Sequence, residues 1–92
     1  MPPTKSPPVI GKVAGGIKIT GQGDPNEQID IVIKKQPGNT VVYNQTHHLP
    51  VGPAPVTGEV TIPLANGTYL VKVTAHPAAG APVIYESTET VP

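Results

Sequence analysis

Apolar and polar residues alternate with period two along most of the chain, and the alternation breaks wherever Gly, Pro and Asn cluster. Ile29, Ile31 and Ile33 alternate with Asp30, Val32 and Lys34 in the most regular run. Tyr69, Val71 and Val73 alternate in the same way with Leu70, Lys72 and Thr74, and Val60, Ile62 and Leu64 form a further apolar row. Successive side chains of a strand point to opposite faces, so each run predicts a strand with one buried face. Between the last two runs lies Asn66-Gly67. Both positions readily adopt the positive φ of a type I′ turn, which predicts a hairpin whose two apolar rows need a second sheet to cover them.

The remaining segments supply that cover. Val9 to Val13 reads as a first strand, Gly15-Gly16 as the turn out of it, and Ile17 to Thr20 as a second strand with Ile17 and Ile19 inward. Gly21 to Glu27 reads as a tight connection, with Pro25 in the second position of a turn. Pro37-Gly38-Asn39 closes a hairpin into a strand over Thr40 to Asn44. A proline-rich loop from His47 to Pro55 then crosses to a strand at Gly58 to Leu64, and Pro77 to Gly80 turn the chain into a last strand, Pro82 to Thr90, with poor alternation. About seven strands, with turn signals every eight to twelve residues or so, predict a two-sheet antiparallel sandwich. One loop much longer than the others fits the crossing between sheets that a Greek key requires.

Composition narrows this further. Ninety-two residues make one domain, close to the size at which a single core holds without staples. The predicted division is an N-terminal proline-rich arm over residues 1–8 and a sandwich over residues 9–92. Thirteen Pro and ten Gly leave no breaker-free window of helical length, which excludes a mostly helical fold. Phe, Trp and Cys are absent, so Val, Ile, Leu and a few Tyr must build the core, a set that favours strands. Neither a disulfide framework nor a thiolate metal site can form.

The formal charge is zero and every cation is a lysine. The basic footprint, arginines and stacking aromatics that nucleic-acid binding draws on are missing, so no nucleic-acid partner is expected. No apolar run approaches the ~20 residues of a membrane-spanning helix, and no membrane partner is expected. Met1 to Pro8 carries no apolar leader segment and should be extended, in polyproline II or strand-like form.

Three stretches carry a resemblance. Ile19 to Ile31 runs strand, Gly, Asp24-Pro25 turn and alternating strand; Gly58 to Leu64 leads into Asn66-Gly67-Thr68-Tyr69; and Ala75-His76-Pro77-Ala78-Ala79-Gly80 forms a closing turn. In this order the chain resembles bacterial immunoglobulin-like repeat domains of the kind strung along surface adhesins. The resemblance covers about residues 17–85 and implies a seven-stranded immunoglobulin-like Greek-key sandwich used as a spacer or binding unit, with no catalytic residues. Two positions depart from the family's pattern. Val60 stands in the region where a Trp is usual, and His76 stands where the closing turn is usually acidic.

Candidate chemistry is sparse. Asp24, Asn26, Glu27 and Asp30 are oxygen ligands close in sequence, a set calcium favours, yet a turn in which Asp24 caps its own backbone explains them as well. His47-His48 offers imidazoles for zinc or copper, but neighbours on an extended segment point to opposite sides, which makes a solvated loop pair the better reading. No cysteine nucleophile or nucleophile elbow occurs, and the two serines, Ser6 and Ser87, lie near the termini. The expectation is a protein without catalytic, cofactor or metal residues.

What faces outward is more informative. With the Ile29 and Tyr69 rows inward, Val32 and Leu70 must face solvent on the same sheet, and Ile84 of the last strand is expected to join them. A contiguous outward apolar cluster marks an interface. Together with Pro2, Pro3, Pro7 and Pro8 of the arm, it predicts contact with neighbouring subunits in an oligomer or larger assembly. The expected role is a surface-displayed or cementing subunit such as a virion decoration protein. The alternative is a single adhesin repeat at the bacterial cell surface that binds a cell-surface ligand, such as a glycan.

Overall fold

The computed structural model describes residues 8–53, 55–77 and 80–92. The predicted arm, with Pro2, Pro3 and Pro7, lies outside the described residues except for Pro8. The described chain is all-β. Its strands are β1 (Val9–Val13), β2 (Gly16–Gly23), β3 (Gln28–Gln36), β4 (Thr40–His48), β5 (Val56–Pro63), β6 (Gly67–His76) and β7 (Val83–Val91). They form a three-stranded antiparallel sheet in the order β1-β2-β5 and a four-stranded antiparallel sheet in the order β4-β3-β6-β7.

The alternating rows turn toward one shared core, giving a sandwich-like pair of sheets. Ile17, Ile19 and Ile62 of the smaller sheet cluster with Ile31, Ile33, Tyr69, Val71, Val73 and Val91 of the larger one. Register arranges them in layers. Ile17 stands opposite Ile62 and Ile19 opposite Val60 in the smaller sheet; in the larger, Ile33 stands opposite Val71 and Ile31 opposite Val73. β-Branched side chains suit such layers because they are stiff and pack well on a pleated surface.

The Asn66-Gly67 hairpin does not form. β5 and β6 belong to different sheets, so the Ile62 row and the Tyr69–Val73 row face each other across the core instead of lying side by side. Only Gly67 of the pair has a positive φ, 152°. The crossing is held by the Tyr69 hydroxyl, which donates to the Ala65 carbonyl at 2.7 Å, and by the Leu64 amide, which donates to the Gly15 carbonyl at 2.9 Å. The first bond joins the sheets at a corner; the second ties the end of β5 to the β1–β2 turn.

Two boundaries also move. Gly21-Gln22-Gly23 is not a connection, because β2 runs on to Gly23 and pairs Gly21 with Gly58 and Gly23 with Val56. His47 and His48 are not loop residues, because β4 runs through His48 and pairs with β3 down to Gln28. In both places backbone pairing with a neighbour continues a strand whose own residues carry no apolar alternation. The hairpin at Pro37-Gly38-Asn39 does form, with Gly38 and Asn39 at positive φ, 98° and 54°.

Candidate functional site

The outward face of the larger sheet can be read strand by strand from its register. Val32 stands opposite Asn44 on β4 and Lys72 on β6; Lys34 stands opposite Val41 and Leu70. Val32 and Leu70 are therefore diagonal neighbours, close enough for apolar side chains to touch. Both are half-buried although they face away from the core, because Lys34, Lys72 and Glu86 join them around a shallow depression. The lysine stems cover apolar surface while their charged ends reach water. Ile84, 53% exposed, lies on the same face opposite Thr74, with Thr74 and Lys72 between it and Val32. It is one of several outlying apolar side chains, with Val41 and Val42 at the opposite edge, where a bulge displaces β4 against β3.

The same face carries a polar network that sequence order conceals. Asp30 accepts hydrogen bonds from the Thr46 hydroxyl at 2.8 Å, from the Gln28 amide at 3.2 Å and pairs with His76 Nε2 at 2.7 Å. Thr46 is directly opposite on β4 and His76 sits on β6, so the network stitches three strands. Hydrogen bonds from Thr46 and then His76 hold the Asp30 carboxyl below its ordinary value of 3.8. A depressed carboxylate stabilises the fold above the unfolded-state value, and that contribution fades as pH falls through the lower folded-state value. Asp30→Asn should therefore melt below wild type at about pH 6, and the gap should narrow as pH falls below the ordinary carboxylate value of about 3.8. Thermal melts across that range check this; a gap that does not change with pH would separate Asp30 from acid stability.

The other sequence candidates separate. His47 faces inward opposite Ile29 and stacks on Tyr43, with ring centroids 6.1 Å apart and the Tyr43 hydroxyl 2.6 Å from its Nε2. His48 faces outward and is exposed, as an extended backbone dictates. The Asp24–Glu27 segment forms a turn: Glu27 Oε1 accepts the Asp24 amide at 2.9 Å, and the Glu27 amide donates to the Asp24 carbonyl at 3.1 Å. Glu27 is buried, whereas Asp30 belongs to the outer network, so the four oxygen ligands do not converge. Among the described residues no group of three or more His, Asp or Glu is placed to hold a metal ion.

One feature of the site was not anticipated from the sequence. Beyond the Ile19–Val60 layer, the next inward positions are Gly21 and Gly58 on the smaller sheet and Ile29 and Ala75 on the larger. They enclose a cavity of about 480 Å³, open to solvent, whose lining also includes Val73, Tyr85 and His47. Leu49 also lines it: its Cδ2 lies 2.5 Å from where a Cβ of Gly58 would stand. It is held there by its amide, which donates to the Glu27 carbonyl at 2.9 Å. The signal that would have revealed this layer is glycine at inward positions of two paired strands, a pattern visible only once their register is known.

No family model, no curated protein and no solved structure matches the chain.

Proposed function

We propose that the protein is a non-enzymatic interaction module with an immunoglobulin-like Greek-key sandwich, acting as a surface-displayed or cementing subunit of a larger assembly such as a phage virion. The strand orders β1-β2-β5 and β4-β3-β6-β7 support the topology, since β2–β3 and β5–β6 cross between sheets as in that fold, while the fourth strand pairs with β3 in the place of the C′ strand of variable-type domains. The Tyr69 hydroxyl bond back to Ala65 supports it too, because a tyrosine near the start of the sixth strand bonding a few residues upstream is a hallmark of such sandwiches. The resemblance to bacterial immunoglobulin-like repeats rests on the same corner, where the Gly67-Thr68-Tyr69 triplet opens β6.

The observation that carries the functional reading is the outward pair Val32 and Leu70, half-buried against Lys34 and Lys72 on a sheet face that has no second layer among the described residues. An apolar centre with a charged rim is the anatomy of a protein interface.

The test is the native mass of the protein, followed by the double substitution of Val32 and Leu70 to Thr. Wild type should sediment as a species well above the 9.5 kDa chain. The double variant should melt within about 5 °C of wild type, because Thr keeps strand propensity and partial exposure limits the lost burial. It should also shift to monomer. A wild-type monomer at all accessible concentrations, or a double variant that assembles as wild type does, overturns the reading. Saturable binding of a monomer to immobilised glycans would point to the adhesin-repeat alternative.

A further inference from the structure

We infer that the hollow layer between the sheets is a binding site for an uncharged, elongated apolar small molecule. The core above it is made of full-sized side chains: Ile17, Ile62, Ile33 and Val71 in one layer, Ile19, Val60, Ile31 and Val73 in the next. One step further the smaller sheet presents Gly21 opposite Gly58, and β6 presents Ala75. Interiors are normally packed as densely as organic crystals, so an empty layer in a small domain forfeits contacts that a single residue change would restore. Glycine within a strand marks a place where another backbone or a ligand comes close.

The two facing glycines have different explanations. A Cβ on Gly58 would press on the end of the Leu49 side chain, whereas among the described residues a Cβ on Gly21 would meet only the Pro8 Cβ at 3.7 Å, an ordinary contact. The Leu49 side chain therefore accounts for the lack of a side chain at position 58, whereas no described residue crowds position 21.

The dimensions and charges of the layer define its occupant. At about 480 Å³ it falls within the ~300–1,000 Å³ range of small-molecule sites. From His47 on β4 to Tyr85 on β7 it spans the four strands of the larger sheet, roughly 14 Å at about 4.8 Å per strand, and the sheets enclose it at about 10 Å spacing. That shape takes two fused or linked rings, or a short chain, lying across the strands. The described lining contains the carboxylates Glu27 and Glu59 and no lysine. Glu59 is paired with Lys18 at 3.4 Å and faces away from the core. An anionic ligand such as a fatty acid would therefore meet the charge of buried Glu27 with no lysine in the described lining to offset it, and charge complementarity selects a neutral molecule. His47 and Tyr85 offer polar atoms at the two ends for a hydroxyl or amine on the ligand.

The experiment is a fluorescence titration of the full chain with N-phenylnaphthylamine, a neutral two-ring probe with a pendant phenyl group, alongside anilinonaphthalene sulfonate, the same skeleton with a sulfonate. Saturable binding of one neutral probe per chain is expected, at least about tenfold tighter than the sulfonate. Gly21→Val and Ala75→Ile each place a side chain in the layer and should weaken neutral-probe binding at least about tenfold while holding or raising the melting temperature. Ala75→Ile keeps the test decisive should Gly21→Val fail to fold. No saturable binding by wild type, equal binding of the sulfonate, or binding unaltered in both filled variants overturns the inference. Binding that appears only after deletion of residues 2–7 would assign the layer to the chain's own amino-terminal segment, and that too overturns it.

Discussion

Gly16→Ala is expected to lower the unfolding midpoint more than any single substitution of a surface residue and to leave the protein largely unfolded at 37 °C. Gly16 opens β2, is buried, and stands opposite Pro63 of β5. A Cβ there would fall inside the contact radius of the Ile62 carbonyl oxygen, with the Ile62 carbonyl carbon at 3.1 Å and the Pro63 Cα at 3.3 Å. All three are backbone atoms, so no side-chain rotamer relieves the overlap; β5 must move away from β2. The adjoining bond from Leu64 to the Gly15 carbonyl resists that movement and would be lost with it. Overpacking among side chains costs about 1–3 kcal/mol, and a clash that only strand separation relieves belongs above that range. A domain of this size has a total stability near the low end of about 5–15 kcal/mol. Urea titrations followed by circular dichroism measure the effect. Gly11→Ala is the control, since a Cβ at Gly11 meets nothing within 4 Å among the described residues and should change stability by less than about 0.5 kcal/mol. Equal midpoints for Gly16→Ala and wild type would show that β2 and β5 do not pair in this register.

The strands were legible where burial on one face imposes a strict alternation. The Ile17/Ile19, Ile29/Ile31/Ile33 and Tyr69/Val71/Val73 rows all lie in or against the core. Alternation reports which face of a strand is buried and says nothing of which strand lies beside it. The Ile62 and Tyr69 rows would look the same as hairpin partners in one sheet or as opposite walls of a core, and the structure makes them opposite walls. The Asn66-Gly67 signal is local, and the sheet to which each flanking strand belongs is decided by distant pairing. β4 extends over Asn44 to His48 without an apolar row because it is an edge strand, and backbone bonds to β3 define it.

The outward pair Val32 and Leu70 was legible for the same reason as the core, as the complement of an inward row; the adjacency of their strands, β3 and β6, is what the register supplies. Features that depend on register between distant segments stayed hidden. Asp30 and His76 are 46 positions apart and become diagonal neighbours only through the β3–β6 pairing. Gly21 and Gly58 each resemble an ordinary turn or strand-end glycine, and only their opposition across β2 and β5 reveals a layer to which the smaller sheet contributes no side chain.

Gly67→Val is expected to be the second most damaging change, for a reason different from a hairpin turn. Gly67 begins β6 with φ at 152°, in a region where an L-residue is strained and a β-branched one most of all. Valine methyls there would also press on the Tyr69 ring, since a Cβ already stands 3.7 Å from its Cε2 and hydroxyl. Strain of about 1–3 kcal/mol, added to a disturbed Tyr69–Ala65 bond, should lower the melting temperature by more than about 10 °C in a domain of this size. Two companion variants distinguish a corner between sheets from a type I′ hairpin. Asn66 is exposed and is not among the positive-φ residues, so Asn66→Ala should fall within about 0.5 kcal/mol of wild type. In a type I′ turn the same change would be costly, because that turn needs positive φ at both central positions. Tyr69→Phe removes the donor to the Ala65 carbonyl and should cost about 1–2 kcal/mol; in a hairpin the tyrosine hydroxyl would have no such partner to lose. Melting curves for the three variants give the answer by their order. Gly67→Val lowest, Tyr69→Phe intermediate and Asn66→Ala near wild type is the pattern of the corner. A costly Asn66→Ala beside a neutral Tyr69→Phe would restore the hairpin and place β5 and β6 in one sheet.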